Sequence, residues 1–332
     1  MFNCVIIKIK SLILPGLICV FILCLLLFSQ TNISATKSGL NLWANSVLPS
    51  LLPFFIATEL LSYTNAISML GKILNRFMRP VFNVPGVGAF ALIMGIISGY
   101  PVGAKIVANL KEQKLCTDIE AERLLAFTNN SGPLFIVGTV GVGLFYDFSL
   151  GLFLLGIHIL STLTVGFLFR WWGNSKSKKN RSVDYSVVQP SLSFSNLGEV
   201  LSKSIISSIN TILMIGGFVV LFSIIISMLE TSNVLYIIAN FLRIFHIPNF
   251  ISISILSGFL EVTNGIFYIA KLTVCSFKLK IMLCSFVLGF GGFSVLLQVL
   301  SISSKAKISI KPYFIGKLLQ ACFAFIYTYL FI

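Results

Sequence analysis

Three polar stretches interrupt an otherwise apolar chain, and each carries groups that can hold a charged or hydrogen-bonding solute. The first is Ser98-Gly99-Tyr100-Pro101-Val102-Gly103-Ala104-Lys105. Gly99 and Gly103 permit backbone angles closed to other residues, Pro101 suits the first turn of a new helix, and Lys105 places a cation just past the break. That lysine reads either as an anion ligand or as a side chain snorkelling to a headgroup. The second stretch is Asn129-Asn130-Ser131-Gly132-Pro133, whose amides and hydroxyl can cap exposed backbone or bind a polar solute; a plain structural turn is the other reading. The third is Glu261-Val262-Thr263-Asn264-Gly265. A carboxylate in apolar surroundings suits a proton or Na⁺ site, or one half of an ion pair with Lys105 or Lys271; a glutamate at the membrane face is the plainer alternative. The candidate substrate-binding residues are therefore Ser98, Gly99, Gly103, Lys105, Asn129, Asn130, Ser131, Glu261, Thr263 and Asn264.

Other chemistry-bearing residues point away from catalysis. His158 and His246 are the only histidines and lie far apart, and the seven cysteines form no CxxC pair, so neither a triad, a metal site nor a cofactor is indicated. His158 sits in a strong apolar run and reads as an interhelical hydrogen-bond partner. Glu59 reads as the end of a span near Tyr63. Gly138, Gly141 and Gly143 resemble a nucleotide loop only superficially: no strand precedes them, and close helix packing explains them better.

The elements that position these residues follow from composition. Of 332 residues, 57% are hydrophobic and 10% charged, against about a quarter charged in soluble domains. With 24 basic and 10 acidic residues the chain carries +14. So apolar a chain is not a nucleic-acid binder, and the excess of Lys and Arg fits the cytoplasmic loops of a multispanning membrane protein. At about 20 residues per span, the expectation is an all-α polytopic protein of about eight helices. Leu12 to Phe28, after Lys8 and Lys10, reads as an uncleaved first helix. Pro49 and Pro53 mark the run Val47 to Leu61, Lys72 to Arg79 looks interfacial, and Thr117-Asp118-Ile119-Glu120 fits a capping box. Arg170 to Arg181 holds five basic residues and no acid, the strongest cytoplasmic loop signal.

The halves also match each other. Ile96, Ser98, Gly99, Leu124, Phe127 and Gly132 correspond to Ile255, Ser257, Gly258, Leu283, Phe286 and Gly291, each pair 159 positions apart; Phe82 to Pro85 corresponds to Phe245 to Pro248 with a four-residue slip. This reading divides the chain into an N-terminal transmembrane helix (1–37), a first repeat (38–170), a basic cytoplasmic loop (171–195) and a second repeat (196–332). The second repeat is expected to break at Ser257-Gly258. Paired glycine-interrupted segments in two halves point to a binding site at mid-membrane.

Ser98 to Lys105, Asn129 to Gly143, Leu48-Pro49-Ser50-Leu51-Leu52-Pro53-Phe54-Phe55 and Leu260 to Gly265 resemble the YlbJ (SpoVV) sporulation integral membrane proteins. The resemblance runs from about Gly39 to the C-terminus. It implies a place in the nucleoside-recognition "gate" group, with a fold similar to concentrative nucleoside transporters, and a role in moving dipicolinate across the outer forespore membrane for the spore cortex. The expected partners are then a small anion, the lipid bilayer and a coupling ion, H⁺ or Na⁺, with no nucleic acid; a homo-oligomer stays open. The alternatives are a nucleoside carrier of the same fold and a non-transporting sporulation scaffold.

Overall fold

A computed structural model of the chain describes residues 2–173 and 196–332. All the elements are helical, with no strand among the described residues. α1 (Phe2–Leu27) is followed by α2 (Ser29–Leu42), and the stretches Leu14–Leu27 and Ser29–Asn45 are bent apart by 98°. A π-helical turn, Trp43–Val47, leads into α3 (Leu48–Ser62), then α4 (Ala66–Phe82), α5 (Gly88–Ser98), α6 (Val102–Glu112), α7 (Asp118–Thr128), a π-helix over Leu134–Leu144, and α8 (Phe148–Phe169). Next come α9 (Leu197–Thr231), α10 (Val234–Leu242), α11 (Asn249–Leu260), α12 (Val262–Lys271), α13 (Phe277–Phe290), α14 (Gly292–Lys305) and α15 (Lys311–Phe331). The expected eight helices are thus corrected to fifteen α-helices among the described residues. The physical reason is interruption: runs that look like single spans are split at glycine, proline or buried polar positions. Among the described residues only α8, α9, α13 with α14, and α15 are long and apolar enough to cross a membrane, with a fifth span if the α1–α2 pair counts as one. Most of the expected basic loop, from 174 to 195, lies outside the described residues.

Local chemistry explains several of these boundaries. Thr117 Oγ1 accepts from the Glu120 N–H at 3.3 Å, and Glu120 Oε2 accepts from the Thr117 N–H at 2.8 Å, a reciprocal cap that starts α7. Glu120 also pairs with Arg79 of α4 at 2.5 Å. On α4, Met69, Ile73 and Phe77 form an exposed apolar stripe while Ile67, Gly71 and Met78 are buried opposite. Exposed Lys72 and Arg76 flank that stripe, as suits a helix lying along a membrane interface. Gly141 packs on Gly151, so close that a Cβ on Gly141 would lie 2.5 Å from the Gly151 Cα. That is close packing through small residues.

Two pairs of short helices fold back on themselves. α5 and α6 meet at Gly95 and Gly103, and α11 and α12 meet at Gly258 and Gly265. Eleven residues rise about 16 Å, so the α5–α6 hairpin reaches only about half way through a ~30 Å hydrocarbon core. The α7 end packs into the first hairpin so tightly that a Cβ on Gly103 would lie 2.1 Å from the Thr128 carbonyl oxygen. Gly103→Ala is accordingly expected to destabilise the fold by about 3 kcal/mol or more, read as a lowered unfolding midpoint of the detergent-purified protein. An unchanged midpoint would mean that this contact is not made.

The order of elements recurs along the chain. An amphipathic helix (α4, α10), a folded-back hairpin (α5–α6, α11–α12), an interrupted helix (α7 with the π-helix, α13 with α14) and a long helix (α8, α15) appear in that order twice. Two apolar cores accompany them. One gathers Phe82, Phe90, Leu124 and Phe127 with Ile215, Val219 and Val295; the other gathers Ile136, Leu154, Val262, Ile266 and Val287.

Candidate functional site

The polar stretches are placed by four interruptions that meet near one point. α5 ends at Gly99, whose φ of +82° and ψ of −172° belong to a region open essentially to glycine alone. A Cβ there would lie 3.0 Å from the Gly132 nitrogen, so the first hairpin tip rests on the break between α7 and the π-helix. In the second half a Cβ on Gly292 would lie 3.3 Å from the Glu261 Cα, so the second hairpin tip rests on the break between α13 and α14. Gly291 and Gly292 there have φ of +83° and +85°. Tyr100 links the two halves: its hydroxyl donates to the Leu288 carbonyl at 3.1 Å and lies against Gly291.

The second-half break differs from expectation in position. Gly258 lies inside α11, where it packs on Val287 and Gly265. The helix ends three residues later, at Glu261, whose φ of −149° and ψ of 123° are extended backbone. Glu261 Oε2 accepts from the Asn264 N–H at 2.9 Å and so caps the N-terminus of α12. Gly258 is a packing glycine rather than a break.

A cavity of about 100 Å³ occupies the meeting point, several times the ~10–15 Å³ that one water needs. Gly99, Tyr100, Ser131, Gly132, Glu261 and Thr263 supply its broken-helix wall. Ser294 and Gln298 of α14 and Thr139 of the π-helix add polar groups, while Leu51, Ile215, Val219, Val262 and Val295 supply apolar wall. The cavity adjoins a polar depression of about 470 Å³ between α2, α9 and α12, with which it shares Leu42 and Thr263. Asn264 lines that depression, as does Glu230, whose carboxylate accepts from the Tyr268 hydroxyl at 2.7 Å.

The candidate residues therefore separate into groups. Gly99, Ser131, Glu261 and Thr263 line the cavity. Asn129 and Asn130 are fully buried behind it. Asn129 donates to the Tyr313 hydroxyl at 3.1 Å; Asn130 accepts from Thr162 at 2.9 Å and from Gln320 at 3.2 Å. Ser98 does not reach the cavity; its hydroxyl lies 2.8 Å from that of Thr58, tying α3 to α5. Gly103 serves the contact with Thr128.

Lys105 also stands apart from the cavity. Its Nζ lies 2.7 Å from Glu59 Oε2 and 2.7 Å from the Ser207 hydroxyl, a clasp joining α6 to α3 and α9. Neither the expected pairing of Lys105 with Glu261 nor that of Lys271 occurs: Lys271 Nζ sits over the Phe267 ring at 3.9 Å. The side chains of Lys105 and Glu59 are 24% and 17% exposed, between the surface and buried regimes. Lys105→Ala, which strands the Glu59 carboxylate, is expected to lower stability by about 2 kcal/mol. Adding Glu59→Ala should recover more than half of that loss in the unfolding midpoint, and no recovery would mean that the pair contributes nothing.

Besides the cavity-lining Thr139, Ser294 and Gln298, sequence reasoning missed a buried polar group on α15. Lys317 is 1% exposed; its Nζ donates to Gln320 Oε1 at 2.7 Å and lies 5.5 Å from the Tyr100 ring and 5.8 Å from the Tyr313 ring. Gln320 in turn donates to Thr162 at 2.7 Å and touches His158, whose Nε2 accepts from the Ser131 N–H at 3.3 Å. A continuous polar network thus runs from Lys317 to the break between α7 and the π-helix. The signal was present in the sequence: a lysine inside an apolar run, followed three residues on by a glutamine.

The nucleoside-recognition (Gate) family model matches residues 44–148. The sporulation integral membrane protein YlbJ of Bacillus subtilis (strain 168) is 38% identical over 339 residues, covering 97% of this chain and 83% of the relative. The chain belongs to the YlbJ family of sporulation integral membrane proteins. No solved structure matches it. The Gate match ends at Asp147-Phe148, so in this YlbJ-family chain it takes in the first hairpin and the break between α7 and the π-helix. Family membership and the long apolar helices together make the chain a multi-pass integral membrane protein.

Proposed function

We propose that the chain is a carrier, not an enzyme, that moves a small organic anion across a membrane by alternating access at the central cavity. The observation behind this reading is the convergence of four helix interruptions on one partly polar cavity. Interrupted backbone at membrane depth is tolerated where it lines a cavity or is buried in protein, and solute sites of secondary transporters are built this way. The N-terminus of α14 carries no side-chain cap, so its backbone N–H groups and positive dipole end are available to an anion.

Dipicolinate is the substrate we favour. The family relation ties the chain to sporulation, and a planar dianion matches a cavity with apolar walls, hydroxyls and helix N-termini. In this reading the chain sits in the outer forespore membrane as two gate-like repeats, 38–170 and 196–332. Gly99, Ser131, Glu261 and Thr263 contact the solute, and Glu261 carries the coupling H⁺ or Na⁺. The depression beside Thr263 and Asn264 is the entry path, and the Lys105–Glu59 clasp braces α3 and α9, which supply Leu51, Ile215 and Val219 of the cavity wall.

A nucleoside carrier is the second reading, favoured by the nucleoside-recognition match over 44–148. Uptake of labelled dipicolinate into proteoliposomes, with dipicolinate and uridine as competitors, separates the two. Saturable uptake blocked by dipicolinate and not by uridine is expected. Block by uridine alone would favour the nucleoside, and absence of any solute flux would favour a scaffold.

A further inference from the structure

We infer that Lys317 is the charge-selecting residue of the carrier, setting the preference for an anionic over a neutral solute; this rests on the carrier reading. Lys317 is buried behind cavity-lining Tyr100, 1% exposed, and among the described residues no carboxylate comes within 4.0 Å of its Nζ. Its hydrogen-bond partner, Gln320 Oε1, is neutral. Glu261, the carboxylate that borders the cavity, is committed to the Asn264 N–H. A buried ammonium with neutral partners is costly, and such a group persists where a counter-charge arrives with function. The candidate counter-charge is a solute carboxylate. Tyr100 lines the cavity with its ring 5.5 Å from Nζ, and Gln320 continues through His158 to the backbone of cavity-lining Ser131. In a water-poor site a charge acts strongly over such distances. Lys317 therefore acts through Tyr100 and the Gln320 network, as a positioning residue for solute charge.

The test uses the full chain purified in detergent. Equilibrium binding is measured for pyridine-2,6-dicarboxylate and for its uncharged diamide, in wild type, Lys317→Met and Lys317→Arg. Wild type is expected to prefer the dicarboxylate. Lys317→Met should reduce that preference at least about tenfold, the lower part of the usual range for coupling between sites, and Lys317→Arg should largely retain it. An unchanged preference in Lys317→Met overturns the inference. A second readout does not depend on the solute: in chloride buffer free of carboxylates Lys317→Met should unfold at least about 3 °C above wild type, because a buried ionisable group without a counter-charge has been replaced by an apolar side chain of similar length. A Met variant that unfolds lower, or does not fold, overturns the inference as well. If wild type binds neither pyridine, dipicolinate as substrate falls, and Lys317 is judged on the midpoint alone.

Discussion

Glu261→Gln is expected to abolish ion-driven accumulation of dipicolinate in proteoliposomes while sparing exchange of internal for external solute. The carboxylate is 3% exposed, borders the cavity, and caps α12 through the Asn264 N–H. Glutamine keeps a carbonyl oxygen that can accept the same hydrogen bond, so the cap and the second hairpin tip survive. What disappears is the group able to take up and release a proton or to bind Na⁺. Coupling energies of 1–3 kcal/mol predict a loss of gradient-driven accumulation of about 50-fold, read by the ratio of internal to external solute at steady state. Glu261→Ala removes the cap too, at about 1 kcal/mol, and should lower exchange as well as accumulation. Accumulation at the wild-type level in Glu261→Gln would remove this residue from the coupling mechanism.

The second large effect is expected at Gly99. Its φ and ψ lie where an L side chain is strained by ~1–3 kcal/mol, and a new Cβ would meet the Gly132 nitrogen at 3.0 Å. Neither side can give way cheaply, since both are backbone at the hearts of the two breaks. Gly99→Ala is therefore expected to destabilise the fold by about 3 kcal/mol or more and to reduce solute flux below detection. Gly217→Ala in α9 is the control: its Cβ would meet nothing within 4 Å, and a helical glycine-to-alanine change there should be neutral or slightly stabilising. Equal unfolding midpoints for the two variants would contradict the packed-tip geometry.

Legibility in the sequence was uneven, for reasons that particular residues make clear. The Thr117–Glu120 cap and the interruption at Gly99 were readable because local chemistry alone fixes them. The number of helices was not. Short apolar runs such as Gly88–Ser98 and Asn249–Leu260 look like damaged spans in sequence, and fold back as hairpins only because Gly103 and Gly265 let their partners approach. Gly258 misled for the same reason: a glycine in an apolar run signals a break or a close contact, and here it is a contact, while Glu261 ends the helix. Lys105 looked like the solute's cation because it follows the break by a few residues, yet α6 turns it toward Glu59 and Ser207. Lys317 lies 212 positions further on, and only tertiary structure brings it behind Tyr100.

If the meeting point of the four interruptions is a solute site, labelled dipicolinate should bind there at equilibrium in the purified chain. Wild type should show one saturable site per chain. Thr263→Trp, which places a large ring where the cavity joins the outer depression, should show none while keeping its unfolding midpoint within a few degrees of wild type, as expected for a partly exposed position. Undiminished binding in Thr263→Trp, or no saturable binding in wild type, would mean that the meeting point is not a solute site.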